Sequence, residues 1–169
     1  MIAIAIGTPR LRLRSFRQDD LDAYAAMSAD AEVMQSIGSG GPVGRDIAWR
    51  GMAMFLGHWA LRGHGMWAVE RRSDGRLIGR AGFHEPEGWP GCELGWLLAR
   101  DAWGQGYAFE AAAAALACGR NELGLGEVIS LIRPENARSI ALARRLGAED
   151  SGAIDFLGGT ALRFVHAAP

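Results

Sequence analysis

The feature that most constrains this chain is residues 92–119, where a short apolar segment, a turn with two glycines and an alanine-rich run follow one another. The apolar segment predicts a strand, and the alanine-rich run predicts a helix because alanine loses no side-chain entropy on becoming helical. Gly104 and Gly106 let the backbone turn its N–H groups towards an anion at the helix N-terminus. This order predicts a site for a phosphorylated ligand; a plain tight turn is the alternative.

Length and charge exclude several classes of protein. A chain of 169 residues suits one domain over residues 1–169 with a sizeable core. The net charge of -1 provides no electrostatic footprint for nucleic acid or an anionic membrane. No run approaches the roughly 20 apolar residues that a membrane span needs. Residues 1–6 are apolar but lack a basic leader, so we do not interpret them as a signal peptide, and Cys92 and Cys118 suggest no disulfide framework. We therefore expect a cytoplasmic protein.

All 18 basic residues are arginine, and the chain contains no lysine. This excludes a Walker-type phosphate loop and a lysine Schiff base, since each needs the ammonium group. The four histidines and two cysteines show no metal-ligand spacing, so we expect no metal.

Hydrophobic periodicity predicts a mixed α+β layout around one sheet. The expected order is strand, two helices, three strands, helix, strand, helix and two strands. The predicted strands are residues 9–16, 66–70, 77–84, 92–99, 127–132, 148–156 and 161–166, and the predicted helices begin near residues 18, 45, 107 and 136. Residues 35–44, rich in glycine and serine, are expected to form a loop.

Five motifs follow one another along the chain: TPRLRLR at residues 8–14, LIGRAG at 77–82, ELGW at 93–96, WGQGYAFEA at 103–111, and Asn136 with Ser139 followed by LGA at 146–148. In this order they resemble the GNAT superfamily of acetyl-CoA-dependent N-acetyltransferases, and most of all its branch with the ribosomal-protein acetyltransferases RimJ and RimL. Each motif alone is weak, but the ordered set covers nearly the whole chain. The resemblance implies a mostly antiparallel central sheet flanked by helices, and an acyltransferase that uses acetyl-CoA as co-substrate.

The resemblance also implies residues that bind the cofactor. The backbone of Trp96, Leu97 and Leu98 is expected to pair with the pantetheine arm as an added strand. The pyrophosphate is expected to bind N–H groups of Trp103, Gly104, Gln105, Gly106, Tyr107 and Ala108. Asn136 and Ser139 are expected to contact the cofactor arm; a helix N-cap is an equal alternative for Asn136, since asparagine is among the best capping residues.

The family reaction is direct attack of a neutral amine on the acetyl thioester, so a base must take a proton from the amine. Glu93, at the start of the central strand, is the carboxylate that we predict for this role, with a purely structural role as the alternative. A backbone N–H near Leu97 is the candidate donor to the thioester oxygen. Many members use a tyrosine of the last helix as the acid. This chain has Ala143 near that position. Ser139 is the nearest hydroxyl, and the resemblance to the RimL-like branch implies it as the catalytic acid, with an ordinary residue of the first helical turn as the alternative.

Three functions remain open from the sequence. The first is acetyl transfer to a primary amine, either a protein N-terminus or a small molecule. The second is a non-catalytic domain that binds or senses acyl-CoA, suggested by the missing tyrosine. The third is an interaction domain with a degenerate pocket. The sequence leaves the amine acceptor open, and a homodimer is among the assemblies that it allows.

Overall fold

The computed structural model describes residues 3–38 and 40–167. The helices in these residues are α1 Leu21–Ser28, α2 Ala31–Met34, α3 Arg45–Arg62, α4 Tyr107–Asn121 and α5 Ala137–Arg145. The strands are β1 Ile6–Gly7, β2 Leu11–Arg14, β3 Met66–Arg71, β4 Leu77–His84, β5 Cys92–Leu98, β6 Val128–Ile132, β7 Ala148–Phe156 and β8 Gly159–His166. Among the described helices, none is both long and apolar enough to cross a membrane.

The strands form one sheet in the order β1-β2-β3-β4-β5-β6-β8-β7. Neighbours are antiparallel except for β5 and β6, which run parallel. This confirms the predicted α+β fold and its order of elements. The opening strand predicted over residues 9–16 differs in detail, since the structure places β1 before β2 as a hairpin. The N–H of Thr8 donates to the carbonyl of Leu11 at 3.0 Å and closes the tight turn around Pro9.

The two faces of the sheet carry different cores. On one face, α4 presents alanines that are fully buried, so this helix lies close to the strands. Gly119 marks the closest approach, because a Cβ there would lie 2.4 Å from Cζ of Phe83. On the other face, α1 and α3 pack through an aromatic cluster in which Phe16 contacts Tyr24 and Phe55, with ring centroids 5.3 and 5.6 Å apart.

Arg14 departs from the simple alternation of exposed arginines and buried leucines expected in the opening strand. Its guanidinium is buried and contacts both carboxylate oxygens of Asp20 at 2.8 Å. Its Nε donates to Glu70 at 2.6 Å. These two acids raise the pKa of Arg14. The paired charges tie β2 to β3 and to the turn before α1, so Arg14 is a structural residue.

Candidate active site

The sheet opens between β5 and β6. The two strands pair only where Cys92 faces Val128 and where Glu93 faces Ile129. In contrast, β5 stays paired with β4 as far as Leu98. The last five residues of β5 therefore have a sheet neighbour on one side only, which leaves a gap in the middle of the sheet.

The main-chain groups that face this gap follow from the alternation of hydrogen-bonding direction along a strand. The carbonyl of Leu94 points towards β6, because it accepts a hydrogen bond from the Ser130 hydroxyl at 2.7 Å. Trp96 and Leu98 lie two and four residues further along, so their main-chain groups point the same way. The main-chain groups of Leu97 point the other way, towards β4. The N–H groups available to a ligand in the gap are therefore those of Trp96 and Leu98.

A buried hydrogen-bond chain holds the point where the strands separate. The Ser130 hydroxyl gives its proton to Leu94, so it accepts from Nε2–H of His166, 2.9 Å away. Ser130 and His166 are each 1% exposed. Burial lowers the pKa of His166 to about 4, which keeps the imidazole neutral. This chain joins β5, β6 and β8 at the closed end of the gap.

Beyond the open end of the gap lies the turn that leads into α4. Gly104 and Gly106 have φ angles of 73° and 78°, in the left-handed region that favours glycine. Gly106 is the N-cap of α4, and the first intrahelical bond runs from the N–H of Glu110 to its carbonyl. The preceding N–H groups, including those of Tyr107 and Ala108, have no intrahelical acceptor. The turn therefore offers backbone donors and the positive end of a helix dipole to an anion.

Arg10 and Glu110 fix the position of this turn. Arg10 donates from Nη1 to the carbonyl of Gln105 at 2.8 Å and from Nε to Glu110 at 2.6 Å. Its guanidinium also lies over the ring of Tyr107, 4.5 Å from the centroid. Glu110 accepts a further bond from the hydroxyl of Thr8 at 2.6 Å. With its carbonyl held by Arg10, Gln105 faces away from the cleft, whereas Gly104, Gly106 and Tyr107 line it.

The opposite wall of the cleft is the first turn of α5. Asn136 caps this helix, with its side-chain oxygen accepting from the N–H of Ser139 at 3.2 Å. This confirms the capping role expected as one alternative for Asn136. The Ser139 hydroxyl accepts from the indole N–H of Trp96 at 3.2 Å, which leaves its own proton free for another acceptor. Arg138 lies over the ring of Trp103, 3.8 Å from its centroid.

Two cavities meet at this wall. One, of about 330 Å³, lies between the turn before α4 and α5 and includes Trp103, Ala108 and Leu98 in its lining. The other, of about 250 Å³, lies on the far side of β5 and contains Glu93. The residues that line both cavities are Ser36, Ile37, Trp96, Asn136 and Ser139. Two ligands that enter from opposite sides would meet beside Trp96.

Glu93 has the properties of a base that works near neutral pH. Burial raises the pKa of its carboxyl to about 7, and this effect is partly offset by a hydrogen bond from the indole N–H of Trp89 at 2.7 Å. The ring of Trp89 is held by edge contacts with His84 and Phe156, whose centroids lie 4.8 and 4.7 Å away. A carboxyl with this pKa is half ionised near pH 7 and can accept a proton from an amine.

Two glycines face each other in the sheet near Glu93, and one of them, Gly95, lines its cavity. Gly82 of β4 pairs with Gly95 of β5, between the pair His84 and Glu93 at one end and Arg80 at the other. Burial lowers the pKa of His84 to about 4, so it is neutral at physiological pH.

A second group of titratable residues lies on the other face of β5. Ligand atoms of His64, Glu85 and Cys92 lie within 4.8 Å of one another, a proximity that sequence spacing did not predict. Burial raises the pKa of the Cys92 thiol to about 12, so the thiolate that metals prefer is disfavoured. His58 accepts from the N–H of Glu85 at 2.9 Å and donates to the carbonyl of His64 at 2.6 Å. These hydrogen bonds join α3 to the segment before β3 and to the residue after β4.

Sequence reasoning missed three residues of the site. Trp89 stands in a loop with no periodic pattern, and Arg80 is one of many arginines. Arg10 was assigned to a strand face. Arg10 and Arg80 stand inside the motifs at residues 8–14 and 77–82, but their contacts with Glu110 and Tyr24 join residues far apart in the chain, and a single sequence carries no pairing signal for such contacts. Trp89 lies only four residues from Glu93, but no motif marks it.

Comparison with known proteins agrees with this geometry. The chain is 38% identical over 90 residues to YkkB of Bacillus subtilis, and this match covers 51% of the chain and 52% of YkkB. It is 29% identical over 147 residues to the N-acetyltransferase YnaD of the same organism, a match that covers 87% of the chain and 84% of YnaD.

Solved structures show the same fold. An acetyltransferase from Agrobacterium tumefaciens superimposes with a TM-score of 0.86 at 30% identity, over 96% of this chain and 94% of that one. RimL, a ribosomal L7/L12 α-N-protein acetyltransferase solved in complex with coenzyme A, superimposes with a TM-score of 0.82 over 98% of both chains. Its identity of 17% supports the fold alone. The family model of the acetyltransferase (GNAT) domain matches residues 10–149, and the chain therefore belongs to the GNAT family of acetyltransferases.

Proposed function

We propose that this GNAT protein transfers the acetyl group of acetyl-CoA to a primary amine by direct attack within a ternary complex. The observation that carries the proposal is the meeting of the two cavities at Trp96 and Ser139. One cavity contains an anion-binding turn and the other contains a carboxyl with a pKa near 7. This arrangement separates a phosphorylated cofactor from an amine and lets the two meet at one point. Membership of the GNAT family of acetyltransferases supports a cofactor of this class.

The described residues fit acetyl-CoA on two counts. The gap beside β5 presents main-chain groups of Trp96 and Leu98 to an arm that carries amides. The turn at Gly104 and Gly106 presents backbone N–H groups to a pyrophosphate, and Arg138 adds positive charge on the facing wall. Acetyl-CoA supplies the acetyl group as an activated thioester.

Each remaining role belongs to a residue at the junction of the cavities. Glu93 takes the proton of the amine, directly or through a water molecule, as the nitrogen bonds to the acetyl carbon and the carbon–sulfur bond breaks. The N–H of Trp96 or Leu98 stabilises the negative charge on the thioester oxygen. The Ser139 hydroxyl can donate a hydrogen bond to the thiolate that leaves, because its oxygen already accepts from Trp96. Ala143 belongs to the buried side of α5 and takes no part in the reaction.

The test begins with acetyl-CoA binding. A ligand that binds only the folded state stabilises it by about 2.7 kcal/mol at a hundred times its dissociation constant, so the melting temperature should rise. Gly106→Glu places a carboxylate at the anion site and should abolish this rise. Gly124→Glu is a matched control, since Gly124 also has a left-handed φ, at 63°, but lies outside both cavities. An equal rise in both variants would contradict a cofactor site at this turn.

Catalysis is tested by release of the CoA thiol with a broad panel of amines. Glu93→Gln should bind acetyl-CoA as the parent does and should lose about a hundredfold or more in kcat, the usual contribution of a general base. Binding without thiol release by the parent would instead support the non-catalytic acyl-CoA-binding alternative. Failure to bind any CoA species would support the interaction domain.

A further inference from the structure

The Glu93 cavity contains more positive charge than an amine-binding site requires. Two arginines, Arg80 and Arg133, line it together with Glu93 and the neutral His84. In residues 3–38 and 40–167, no carboxylate oxygen lies within 4.0 Å of a nitrogen of either arginine. Guanidinium groups stay charged at any physiological pH. The cavity therefore has net positive charge, whatever the state of Glu93.

Arg80 is held in place by uncharged groups. Its Nε donates to the hydroxyl of Tyr24 at 3.2 Å, and its Nη1 lies 3.6 Å from the sulfur of Met66. The guanidinium lies over the ring of Phe55, 5.1 Å from the centroid. These contacts orient the side chain without neutralising it. An oriented guanidinium without an acidic partner is suited to bind a carboxylate.

Arg133 is placed differently, at the mouth of the same cavity. It donates from Nη2 to the carbonyl of Gly38 at 2.5 Å and so ties the end of β6 to the loop after α2. Its charge adds to that of Arg80, but of the two arginines only Arg80 lowers the pKa of Glu93 by its charge. Arg80 is therefore the better candidate for direct contact with a ligand.

The distance between Arg80 and Glu93 limits the ligand. Arg80 lies four residues from His84, the strand partner of Glu93, which corresponds to roughly 13 Å along the backbone. Both side chains line the same cavity, and the charge of Arg80 is close enough to lower the pKa of Glu93. The cavity of about 250 Å³ is smaller than the pockets of drug-sized ligands, which start at about 300 Å³. A small molecule with two charged ends fits this arrangement.

We propose that the amine acceptor of this enzyme is a small amino acid, which places its carboxylate on Arg80 and its amine beside Glu93. This inference rests on the proposed function. It disfavours polyamines and polycationic antibiotics, because a second ammonium group would lie beside the unpaired Arg80 and Arg133. A peptide whose first residue is acidic also carries an amine and a carboxylate close together, at its N-terminus. The assay separates these two sources of carboxylate.

The test compares matched acceptors at saturating acetyl-CoA. The set contains α- and ω-amino acids of two to six carbons, their carboxamides, the diamines of equal length, and short peptides with an N-terminal aspartate or glutamate. We expect kcat/KM for the best amino acid to exceed that of its carboxamide by about ten- to a hundredfold, the usual range for a hydrogen-bonded charge. In Arg80→Gln this preference should fall to near unity, and Arg80→Lys should restore part of it. Arg12→Gln, on the exposed side of β2, is the matched control.

Each outcome separates the inference from the proposed function. Thiol release with diamines or carboxamides at rates equal to those of the amino acids would overturn the inference and leave the acetyltransferase assignment intact. Preference for the acidic peptides over every free amino acid would overturn it in favour of a polypeptide acceptor. An unchanged preference in Arg80→Gln, at an unchanged melting temperature, would remove Arg80 as the carboxylate site. Absence of thiol release with every acceptor would overturn both proposals.

Discussion

The hydrogen bond from Trp89 to Glu93 gives the sharpest test of the proposed base. The substitution Trp89→Phe removes the indole donor, 2.7 Å from the carboxylate, and keeps an aromatic ring against His84 and Phe156. Because this bond favours the ionised carboxylate, its loss raises the pKa of Glu93 further.

The size of the change follows from the energy of one hydrogen bond. A hydrogen bond to a charged group contributes about 1.5–3 kcal/mol, and 1.36 kcal/mol corresponds to about one pH unit. Taking the lower end, the pKa of Glu93 moves from about 7 to about 8. The ionised fraction at pH 7 then falls from about a half to about a tenth. The variant should therefore lose about fivefold in kcat/KM at pH 7 and little above pH 9.

The assay is the pH profile of kcat/KM for one amine, measured for the parent and for Trp89→Phe. Ionisation of the amine contributes equally to both profiles, so the displacement between them reports on the enzyme. Trp49→Phe is the control, since Trp49 is 49% exposed on α3 and lies outside both cavities. If the two pH profiles of kcat/KM coincide on their acidic side, or if Trp89→Phe lowers kcat/KM by the same factor at every pH, the assignment of Glu93 as the titrating base is refuted.

Three further predictions concern the residues around the site. Burial raises the pKa of Glu93 in the folded state to about 7, so the protein is most stable while Glu93 is protonated and loses stability as pH rises through 7. Glu93→Gln removes this loss. Between pH 5 and pH 8 its free energy of unfolding should therefore increase by about 2–3 kcal/mol relative to that of the parent. A difference independent of pH in denaturant titrations would contradict this. Ser130→Ala leaves the Leu94 carbonyl and the His166 imidazole without this hydrogen-bond partner, so the free energy of unfolding, measured with denaturant, should fall by about 2–4 kcal/mol. The control is Ser151→Ala at an exposed position. A loss as small as that of the control would contradict the stabilising role of the buried hydrogen-bond chain. Glu110→Gln weakens the contacts with Thr8 and Arg10 that fix the turn before α4, so it should cost about 1 kcal/mol of stability and reduce the rise in melting temperature that acetyl-CoA causes. An unchanged rise would show that these contacts are not needed for cofactor binding.

The parts of the fold that were predictable are those coded by local patterns. The strand over residues 77–84 coincides with β4, since an apolar run bounded by polar turns identifies a strand. The strand over 148–156 coincides with β7, although this strand is mostly polar and exposed. The Gly104–Gly106 turn and the Asn136 cap were predictable because left-handed backbone and helix capping each depend on one residue type. The burial of Arg14 was not, because it depends on Asp20 and Glu70.

The candidate site shows the same division. Glu93 was identified from its motif, but its pKa near 7 depends on burial and on Trp89, and neither is visible in the sequence. The charge of the Glu93 cavity depends on which arginines have no carboxylate beside them in the folded chain. With 18 arginines and 19 acids, composition predicts pairing for almost any one of them, so the unpaired state of Arg80 appears only in the folded chain.

The gap between β5 and β6 amounts to a strand edge placed inside the molecule. Exposed edges ordinarily recruit strands of other chains, and proteins protect them with charges, bulges or covering segments. Here the turn before α4 and the first turn of α5 stand on either side of the unpaired backbone. A polypeptide strand carries side chains on both faces and would place them against both walls, whereas a thin chain of amides would not. The turn and the helix thus screen this unpaired edge from the strands of other chains.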